Sequence, residues 1–209
     1  MTVESLAAAA DSTKVTPSWS GAAPFQETVA AAARGDEKAF AALWRWLHPS
    51  LTRYLQVVAP WDWEDVASEV WYSVARDLGS FTGDERAWRA WVLTIARHRT
   101  IDAARRRARR VDTVAITDVD CADEGDASTP VTRHVELAEA LAVLRTLPPS
   151  QADVLALRVI GGLSVAETAE ALDKSEGAVR VLCHRGLRHL AEGAASLPLS
   201  STRADAGRR

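Results

Sequence analysis

Apolar side chains recur every three or four residues along most of this chain, and this spacing restricts the fold more than any other feature. Residues three and four apart lie on one face of an α-helix, whereas a strand needs alternation, which is nearly absent here. We therefore predict an all-α fold of two small helical domains joined by a flexible acidic linker. The helical stripes are Phe40, Leu43, Trp44 and Leu47, interrupted at Pro49; Val66, Val70, Val74 and Leu78; Trp88, Trp91, Val92 and Ile95; and Leu137, Leu141 and Leu144.

Length and composition divide the chain into five segments. With 209 residues and 47% hydrophobic side chains, the chain is long enough to bury two small cores. Residues 111–126 hold six acids and no base, in a stretch without helical spacing that is typical of a linker. The predicted segments are a disordered tail over 1–24, a first domain over 25–110, the linker over 111–133, a second domain over 134–192 and a disordered tail over 193–209.

The formal net charge of -3 hides a strong segregation of charge along the chain. On bulk charge alone, the sequence argues mildly against a nucleic-acid partner. Residues 62–85, however, carry seven acids against one arginine, whereas residues 86–110 carry nine arginines against one aspartate. A basic helical stretch of this kind is suited to bind a polyanion such as a nucleic acid. The local charge pattern therefore favours the partner that the net charge disfavours.

Several classes of protein are disfavoured by what the sequence contains. The two cysteines, Cys121 and Cys183, form no CxxC motif, which argues against a disulfide framework or a zinc site and favours a reducing compartment. No run approaches the length of a membrane helix, and the first residues do not resemble a secretory signal. We expect a cytoplasmic protein with no membrane insertion of its own, no metal and no cofactor.

The second domain carries the local signals of a helix-turn-helix. Pro148-Pro149 ends one helix, and we predict that the next begins at Ser150, with Asp153 at the third position after the cap, and runs to Gly161-Gly162. Ser164 and Glu167 form a capping box at the start of a short helix. After a turn, Ser175 caps a long final helix. Two helices joined by a tight turn at this spacing favour the helix-turn-helix.

The final helix has two unlike sides. Val179, Gly186 and Leu190 belong to the side predicted to be buried, where Cys183 is interpreted as a small hydrophobe. The opposite arc contains Gly177, Arg180, Val181, His184, Arg185 and Arg188. Arg180, His184 and Arg188 form a basic ridge narrow enough for a major groove, and the backbone N–H groups of Glu176 and Gly177 can face a phosphate. A solvated basic surface is the alternative, which the preceding capped helix and turn disfavour.

Two blocks of this sequence resemble one known family. The block from Leu147 to Leu172, followed by Ser175-Glu-Gly-Ala-Val-Arg and His184-Arg185, resembles region 4 of extracytoplasmic-function (ECF) sigma factors. Upstream, Trp61-Asp-Trp-Glu-Asp-Val-Ala-Ser-Glu-Val-Trp71 is similar to region 2.2, and the segment from Phe81 through Trp88-Arg-Ala-Trp-Val-Leu-Thr-Ile-Ala-Arg97 is similar to regions 2.3 and 2.4. Both blocks occur in the family's order with a linker between them.

The resemblance implies an alternative sigma factor that binds core RNA polymerase, recognises the -35 and -10 promoter elements and helps to melt DNA. It implies promoter DNA and an anti-sigma factor as further partners, and no enzymatic activity. The implied -35 contacts are Ser175, Glu176, Gly177, Arg180, Val181, His184, Arg185 and Arg188. The implied -10 contacts are Ser80, Phe81, Thr82, Gly83, Asp84, Arg97, His98, Arg99, Arg105 and Arg106. The implied polymerase contacts are Asp62, Asp65, Glu69, Tyr72 and Arg76.

Alternatives remain at this stage. The acids of residues 62–77 also fit an ordinary solvated face with N-terminal charges matched to the helix dipole. Among the eight tryptophans, Trp44, Trp88 and Trp91 are predicted to be core, whereas Trp46, Trp61 and Trp63 are less clearly buried. The chain as a whole also fits a stand-alone helix-turn-helix regulator whose first domain dimerises or senses a ligand. A metal-dependent nuclease is a third hypothesis, which the absence of convergent His or Cys residues disfavours.

Overall fold

The described part of the chain is built from α-helices. A computed structural model describes residues 18–21, 23–111 and 131–196, and the rest of the two predicted tails and of the linker lies outside these residues. The helices are α1 (Phe25–Ala33), α2 (Glu37–Val58), α3 (Trp63–Asp77), a 3-10 turn (Leu78–Ser80), α4 (Glu85–Val111), α5 (Val131–Arg145), α6 (Pro149–Leu155), a π-helical turn (Ala156–Ile160), α7 (Val165–Ala171) and α8 (Glu176–Ser196). The predicted all-α class is confirmed, since the described residues contain no strand.

No helix among the described residues is both long enough and apolar enough to span a bilayer.

Helix α2 passes through a proline that was predicted to interrupt it. Asp36 caps the helix, since its Oδ1 accepts hydrogen bonds from the N–H groups of Lys38 and Ala39. The helix continues through Pro49 to Val58. The prediction of an interruption was wrong, because the buried row of Leu43, Leu47, Leu51, Tyr54 and Leu55 extends across the proline and packing outweighs the missing backbone hydrogen bond.

Helices α3 and α4 complete the first domain. Val66, Val70, Val74 and Leu78 are all buried, as their spacing predicts. In α4, Trp88, Val92, Leu93 and Ala96 form the buried face.

The first domain also extends further toward the N-terminus than predicted. Residue 19 was assigned to the disordered tail, but Trp19 packs edge-on against Phe25 and Trp46, with ring centroids 5.5 and 5.6 Å apart. Its backbone N–H donates to Glu85 Oε2 at 3.0 Å. The predicted boundary at residue 25 is therefore several residues too late. A lone tryptophan in a polar segment carries no periodicity that would have revealed this contact.

In the second domain, one helix begins before the predicted domain boundary and another begins one residue before its predicted start. Helix α5 begins at Val131, within the segment predicted as linker. Helix α6 begins at Pro149, after Pro148, and neither Ser150 nor Asp153 caps it. Proline suits this position because its fixed φ and missing N–H match the first turn of a helix. Asp153 is buried instead and has a different role, described below.

The π-helical turn after α6 leads into the helix-turn-helix. Gly161 N–H donates to Ala156 O at 3.0 Å, five residues back, which is the spacing of a π turn. The predicted capping box at α7 is confirmed: Glu167 N–H donates to Ser164 Oγ at 3.2 Å, and Ser164 N–H donates to Glu167 Oε2 at 2.6 Å. Asp173, with φ of 50°, turns the chain into α8.

The two domains pack against each other. Helix α2 contacts α5, α6 and the π-helical turn, and α4 contacts α7. Buried side chains of both domains, including Leu55, Leu93, Leu155 and Leu157, belong to one continuous hydrophobic core. The packing places the start of the helix-turn-helix against the arginine-rich helix of the first domain.

Candidate nucleic-acid interface

Helix α8 presents the two unlike sides that its sequence predicts. Val179, Gly186 and Leu190 are buried, and Cys183 is half-buried. Gly186 is required for close packing, because a Cβ there would lie 2.8 Å from Leu155 Cδ1. The six residues of the opposite arc are all exposed: Gly177, Arg180, Val181, His184, Arg185 and Arg188. This helix therefore offers a largely basic surface, with Val181 as its apolar member, beside the turn of the helix-turn-helix.

Local interactions hold the exposed arc of α8 in place. Ser175 Oγ accepts a hydrogen bond from Ala178 N–H at 3.2 Å, so Ser175 caps the helix as predicted. Arg180 pairs with Glu176 at 2.5 Å and Arg188 with Glu192 at 3.1 Å, each one turn along. Exposed pairs of this kind contribute little free energy, so either guanidinium can exchange its carboxylate for a phosphate at small cost.

Cys183 does not have the surroundings of a reactive thiol. Burial raises the pKa of this thiol above its ordinary value, although nearby Arg158 opposes the shift. The protonated form therefore dominates at neutral pH, and the thiol is a weak nucleophile.

The loop before α4 is held by contacts within the first domain. Ser80 Oγ donates to Asp77 O at 2.7 Å. Phe81 packs against Trp88 and Trp91, with both centroid separations 5.1 Å. Asp84 Oδ1 accepts a hydrogen bond from Ala87 N–H at 2.8 Å and so caps α4. Phe81 and Asp84 thus hold the loop in one shape, while Thr82 at its tip is exposed.

Gly83 allows the turn at the end of this loop. Its φ of 152° is one that residues with a side chain rarely adopt. A Cβ at this position would also lie 2.6 Å from Ala87 Cβ.

The predicted DNA-contacting residues of α4 fall into two groups. His98 and Arg105 are exposed. Arg97, Arg99 and Arg106 each have a partner from another element. Arg97 Nε lies 2.6 Å from Asp153 Oδ2, Arg99 Nη2 donates to Ser73 Oγ at 2.9 Å, and Arg106 Nη2 donates to Glu69 Oε1 at 2.8 Å. The last pair joins a residue predicted to contact DNA to one predicted to contact polymerase.

The outward side of α3 carries the predicted polymerase-contacting residues. Asp65, Tyr72 and Arg76 are exposed, and the Tyr72 side chain is 71% accessible. Asp62 and Glu69 are partly buried. Arg76 donates two hydrogen bonds to neighbouring Asp77, at 2.8 and 2.7 Å, and this pairing lowers the pKa of the Asp77 carboxyl.

Two tryptophans of the first domain are exposed, one against its prediction and one in agreement with the sequence. Trp44 was predicted to be core, but it is 37% exposed and stacks on His48 at 4.1 Å, at the margin of its stripe. Trp61 is 71% exposed and lies under the guanidinium of Arg107 at 5.7 Å. Trp88, in contrast, is fully buried, as predicted.

The fold and this surface define a class of protein. Two helical domains, of which the second presents a basic recognition helix, are the architecture of a DNA-binding transcription factor. Residues 38–110 match the family Sigma-70 region 2, and residues 137–190 match Sigma-70, region 4. The chain belongs to the ECF RNA polymerase sigma factors, which direct transcription initiation, and the resemblance stated from the sequence is confirmed.

Individual relatives agree with this membership. The chain is 33% identical over 175 residues to the ECF RNA polymerase sigma factor BldN of Streptomyces coelicolor, a match that covers 82% of this chain and 66% of BldN. It is 34% identical over 170 residues to ShbA of Streptomyces griseus, covering 76% of this chain and 89% of that relative. The sigma factor RpoE of Bartonella quintana, solved with the anti-sigma factor NepR, has a similar fold, with a TM-score of 0.58 and 20% identity over 76% of this chain and 98% of that one.

Proposed function

We propose that this chain binds core RNA polymerase as an alternative sigma factor and directs it to promoters through separate -35 and -10 contacts, helping to melt the DNA. The observation that carries the proposal is the exposed arc of α8, which contains three arginines and one histidine and follows a capped helix and a tight turn. A helix of this kind fits the major groove and supports direct recognition of bases.

The -35 element is assigned to α8. Arg180, His184 and Arg188 lie one turn apart on the exposed arc, and Arg185 and Val181 flank them. Arginine suits guanine edges and phosphates, whereas Val181 offers an apolar contact for a thymine methyl group. Ser175, Glu176 and Gly177 at the start of the helix face a phosphate through backbone N–H groups.

The -10 element is assigned to the loop before α4 and to the arginines of α4. Ser80, Thr82 and Gly83 lie at the outer part of a loop whose shape Phe81 and Asp84 maintain. A loop of fixed shape is suited to capture one extruded base, which costs a few kcal/mol of unstacking. The phosphate backbone of the melted strand is contacted by the basic side chains of α4, which are Arg97, His98, Arg99, Arg105 and Arg106.

The polymerase contact is assigned to the outward side of α3, which presents Asp62, Asp65, Glu69, Tyr72 and Arg76. Tyr72 combines a large apolar ring with a hydroxyl group, and such residues are enriched at protein interfaces. The acids suit a basic helical surface on the partner. In this assignment the protein acts in the cytoplasm, has no catalytic activity of its own and is held inactive by an anti-sigma factor, as the Bartonella quintana relative was solved with one.

Transcription with purified core polymerase and this chain on genomic fragments tests the proposal. We expect defined start sites that depend on the chain, and these sites give the promoter sequence. Gel-shift with the chain alone separates the proposal from a stand-alone regulator, because a regulator binds the mapped promoter without polymerase. Binding of the free chain as tight as that of the holoenzyme would contradict the sigma-factor assignment.

Alanine variants separate the two interfaces in the same assay. Arg180→Ala and His184→Ala should each reduce transcription from the mapped promoter by about 10-fold, because each removes a hydrogen-bonding side chain from the base edges, while polymerase affinity stays unchanged. Asp65→Ala should weaken polymerase capture instead. Glu69→Ala needs Arg106→Ala as its control, because either change breaks the same ion pair. An equal loss of polymerase binding in Arg180→Ala would overturn the division of roles.

A further inference from the structure

One buried polar network joins the two domains. Asp153 of α6, only 8% exposed, lies between two residues of the first domain. The Tyr54 hydroxyl, in a fully buried residue, donates to Asp153 Oδ1 at 2.9 Å. Arg97 Nε lies 2.6 Å from Asp153 Oδ2, but its N–H does not point at that oxygen, so the attraction is that of two charges. One oxygen of this carboxylate therefore accepts a hydrogen bond from the first domain, and the other lies beside a positive charge of the same domain.

Such a network is costly to bury and only weakly favourable overall. Burial raises the pKa of Asp153, and the charge of Arg97 opposes this shift. Burial is also the main cause of the raised pKa of Tyr54. Buried ion pairs give little net stability, whereas removing one partner leaves the other uncompensated. These polar contacts therefore specify one arrangement of the domains while adding little to the apolar packing between them.

A second contact lies at the edge of the same interface. Arg86 of α4 donates to both oxygens of Glu167 in α7, with Nε to Oε1 at 2.6 Å and Nη2 to Oε2 at 3.2 Å. Glu167 is also the residue that closes the capping box with Ser164. The start of the helix-turn-helix is thus fixed against the first turn of α4.

Close apolar packing lies near these polar contacts. A Cβ at Gly161 would lie 2.6 Å from both Leu93 Cδ1 and Leu157 O, so the absence of a side chain there favours this close approach of the second domain to α4. Leu93 is fully buried. In this arrangement the second domain buries Leu93 and pairs with Arg86 and Arg97 on the same side of α4.

We propose that these contacts form an intramolecular latch that holds the chain in a closed state, in which the second domain occupies Arg97, one of the α4 residues assigned to the -10 element. This inference rests on the proposed function for its account of α4. Arg97 cannot hold a DNA phosphate while it is paired with Asp153. Opening is therefore required before Arg97 can contact the promoter, and the affinity that depends on this contact falls in proportion to the open fraction.

Single-molecule FRET on the full chain measures closure without DNA or polymerase. Dyes are attached to Arg53→Cys and Glu170→Cys, which are exposed positions on the two domains, in a Cys121→Ser, Cys183→Ala background. Tyr54→Phe removes one hydroxyl group, and Asp153→Asn removes the charge. We expect each to raise the open-to-closed ratio by about 10-fold. The two effects should be non-additive in the double variant, because both act on one network.

Asp173→Asn is the matched control, since it removes a carboxylate from an exposed turn of the same domain. It should leave the FRET distribution unchanged. An unchanged distribution in both Tyr54→Phe and Asp153→Asn would overturn the latch, whatever the transcription assay gives. Tyr54→Phe keeps this test valid if Asp153→Asn unfolds the second domain.

The same variants are then assayed for transcription from the mapped promoter at limiting sigma concentration. Variants that open more readily should give more transcript, in the order of their open fractions. Opening without any gain in transcription would overturn the inhibitory role while leaving the sigma-factor function intact. Absence of transcription by the unmodified chain would contradict the proposed function instead, and the FRET result would still decide whether the latch exists.

Discussion

At the scale of single residues, His48 links the stability of the first domain to pH. Its ring stacks on Trp44, and its Nδ1 accepts a hydrogen bond from Trp71 Nε1–H at 3.1 Å, which requires an unprotonated Nδ1. Burial lowers the pKa of His48 below its ordinary value of 6.5. The unfolded chain therefore binds a proton at a higher pH than the folded chain does. The stabilisation that depends on an unprotonated His48 is therefore complete above about pH 6.5, and it is lost as the pH falls toward the lowered pKa.

We expect the free energy of urea unfolding to decrease between pH 7.5 and 5.5 in the unmodified chain. His48→Gln should remove part of this pH dependence, because the amide oxygen still accepts from Trp71 and does not titrate in this range. His98→Gln, which changes an exposed imidazole, serves as the control and should keep the full dependence. Equal pH profiles for the unmodified chain and His48→Gln would contradict the role assigned to this ring.

At the scale of elements, the capping box of α7 determines how firmly the helix-turn-helix is formed. Ser164→Ala should lower the free energy of unfolding by about 1 kcal/mol, because the N–H of Glu167 loses its acceptor in a helix of only two turns. Thermal unfolding followed by circular dichroism measures this loss. Ser68→Ala, in an exposed mid-helix position of α3, is the control and should be neutral or slightly stabilising. A neutral Ser164→Ala would show that packing alone forms α7.

Elements with local signals were predictable from the sequence, and those that depend on distant contacts were not. The pattern of Ser164 and Glu167 spans three residues, and the two sides of α8 follow from its helical period, so both were predicted correctly. The continuation of α2 through Pro49 was missed, because the packing that supports it comes from other helices. The role of Asp153 was missed for the same reason: its partner Tyr54 lies 99 residues away, and no local spacing connects them. Assignment of individual residues to DNA or polymerase stays a prediction.

At the scale of the whole molecule, the continuous core predicts that the two domains unfold together. Gly161→Ala should disturb this coupling, because the added Cβ would lie 2.6 Å from both Leu93 Cδ1 and Leu157 O. We expect a loss of about 1 to 3 kcal/mol and a broadened or divided transition in calorimetry. Gly193→Ala, where no atom lies within 4 Å of the new Cβ, is the control.

Combining Gly161→Ala with Leu93→Ala separates crowding between domains from crowding within the second domain. If Leu93 is the main obstacle, the double variant should be more stable than the sum of the single changes predicts. Strict additivity would place the strain at Leu157 O, within the second domain, and would contradict the coupling through Gly161.

The π-helical turn over Ala156–Ile160 has a consequence for the lengths that this chain tolerates. It accommodates one more residue per turn than an α-helix does. Deleting one residue there would therefore restore α-helical hydrogen bonding and leave the segment from Gly161 onward nearly in place. Deleting a residue from α6 itself would instead rotate everything after it by about 100° and shift it by about 1.5 Å, so the final helix would point elsewhere. Where the same domain packing is retained, single-residue gaps in sequence alignments should therefore fall within Ala156–Ile160 rather than within α6.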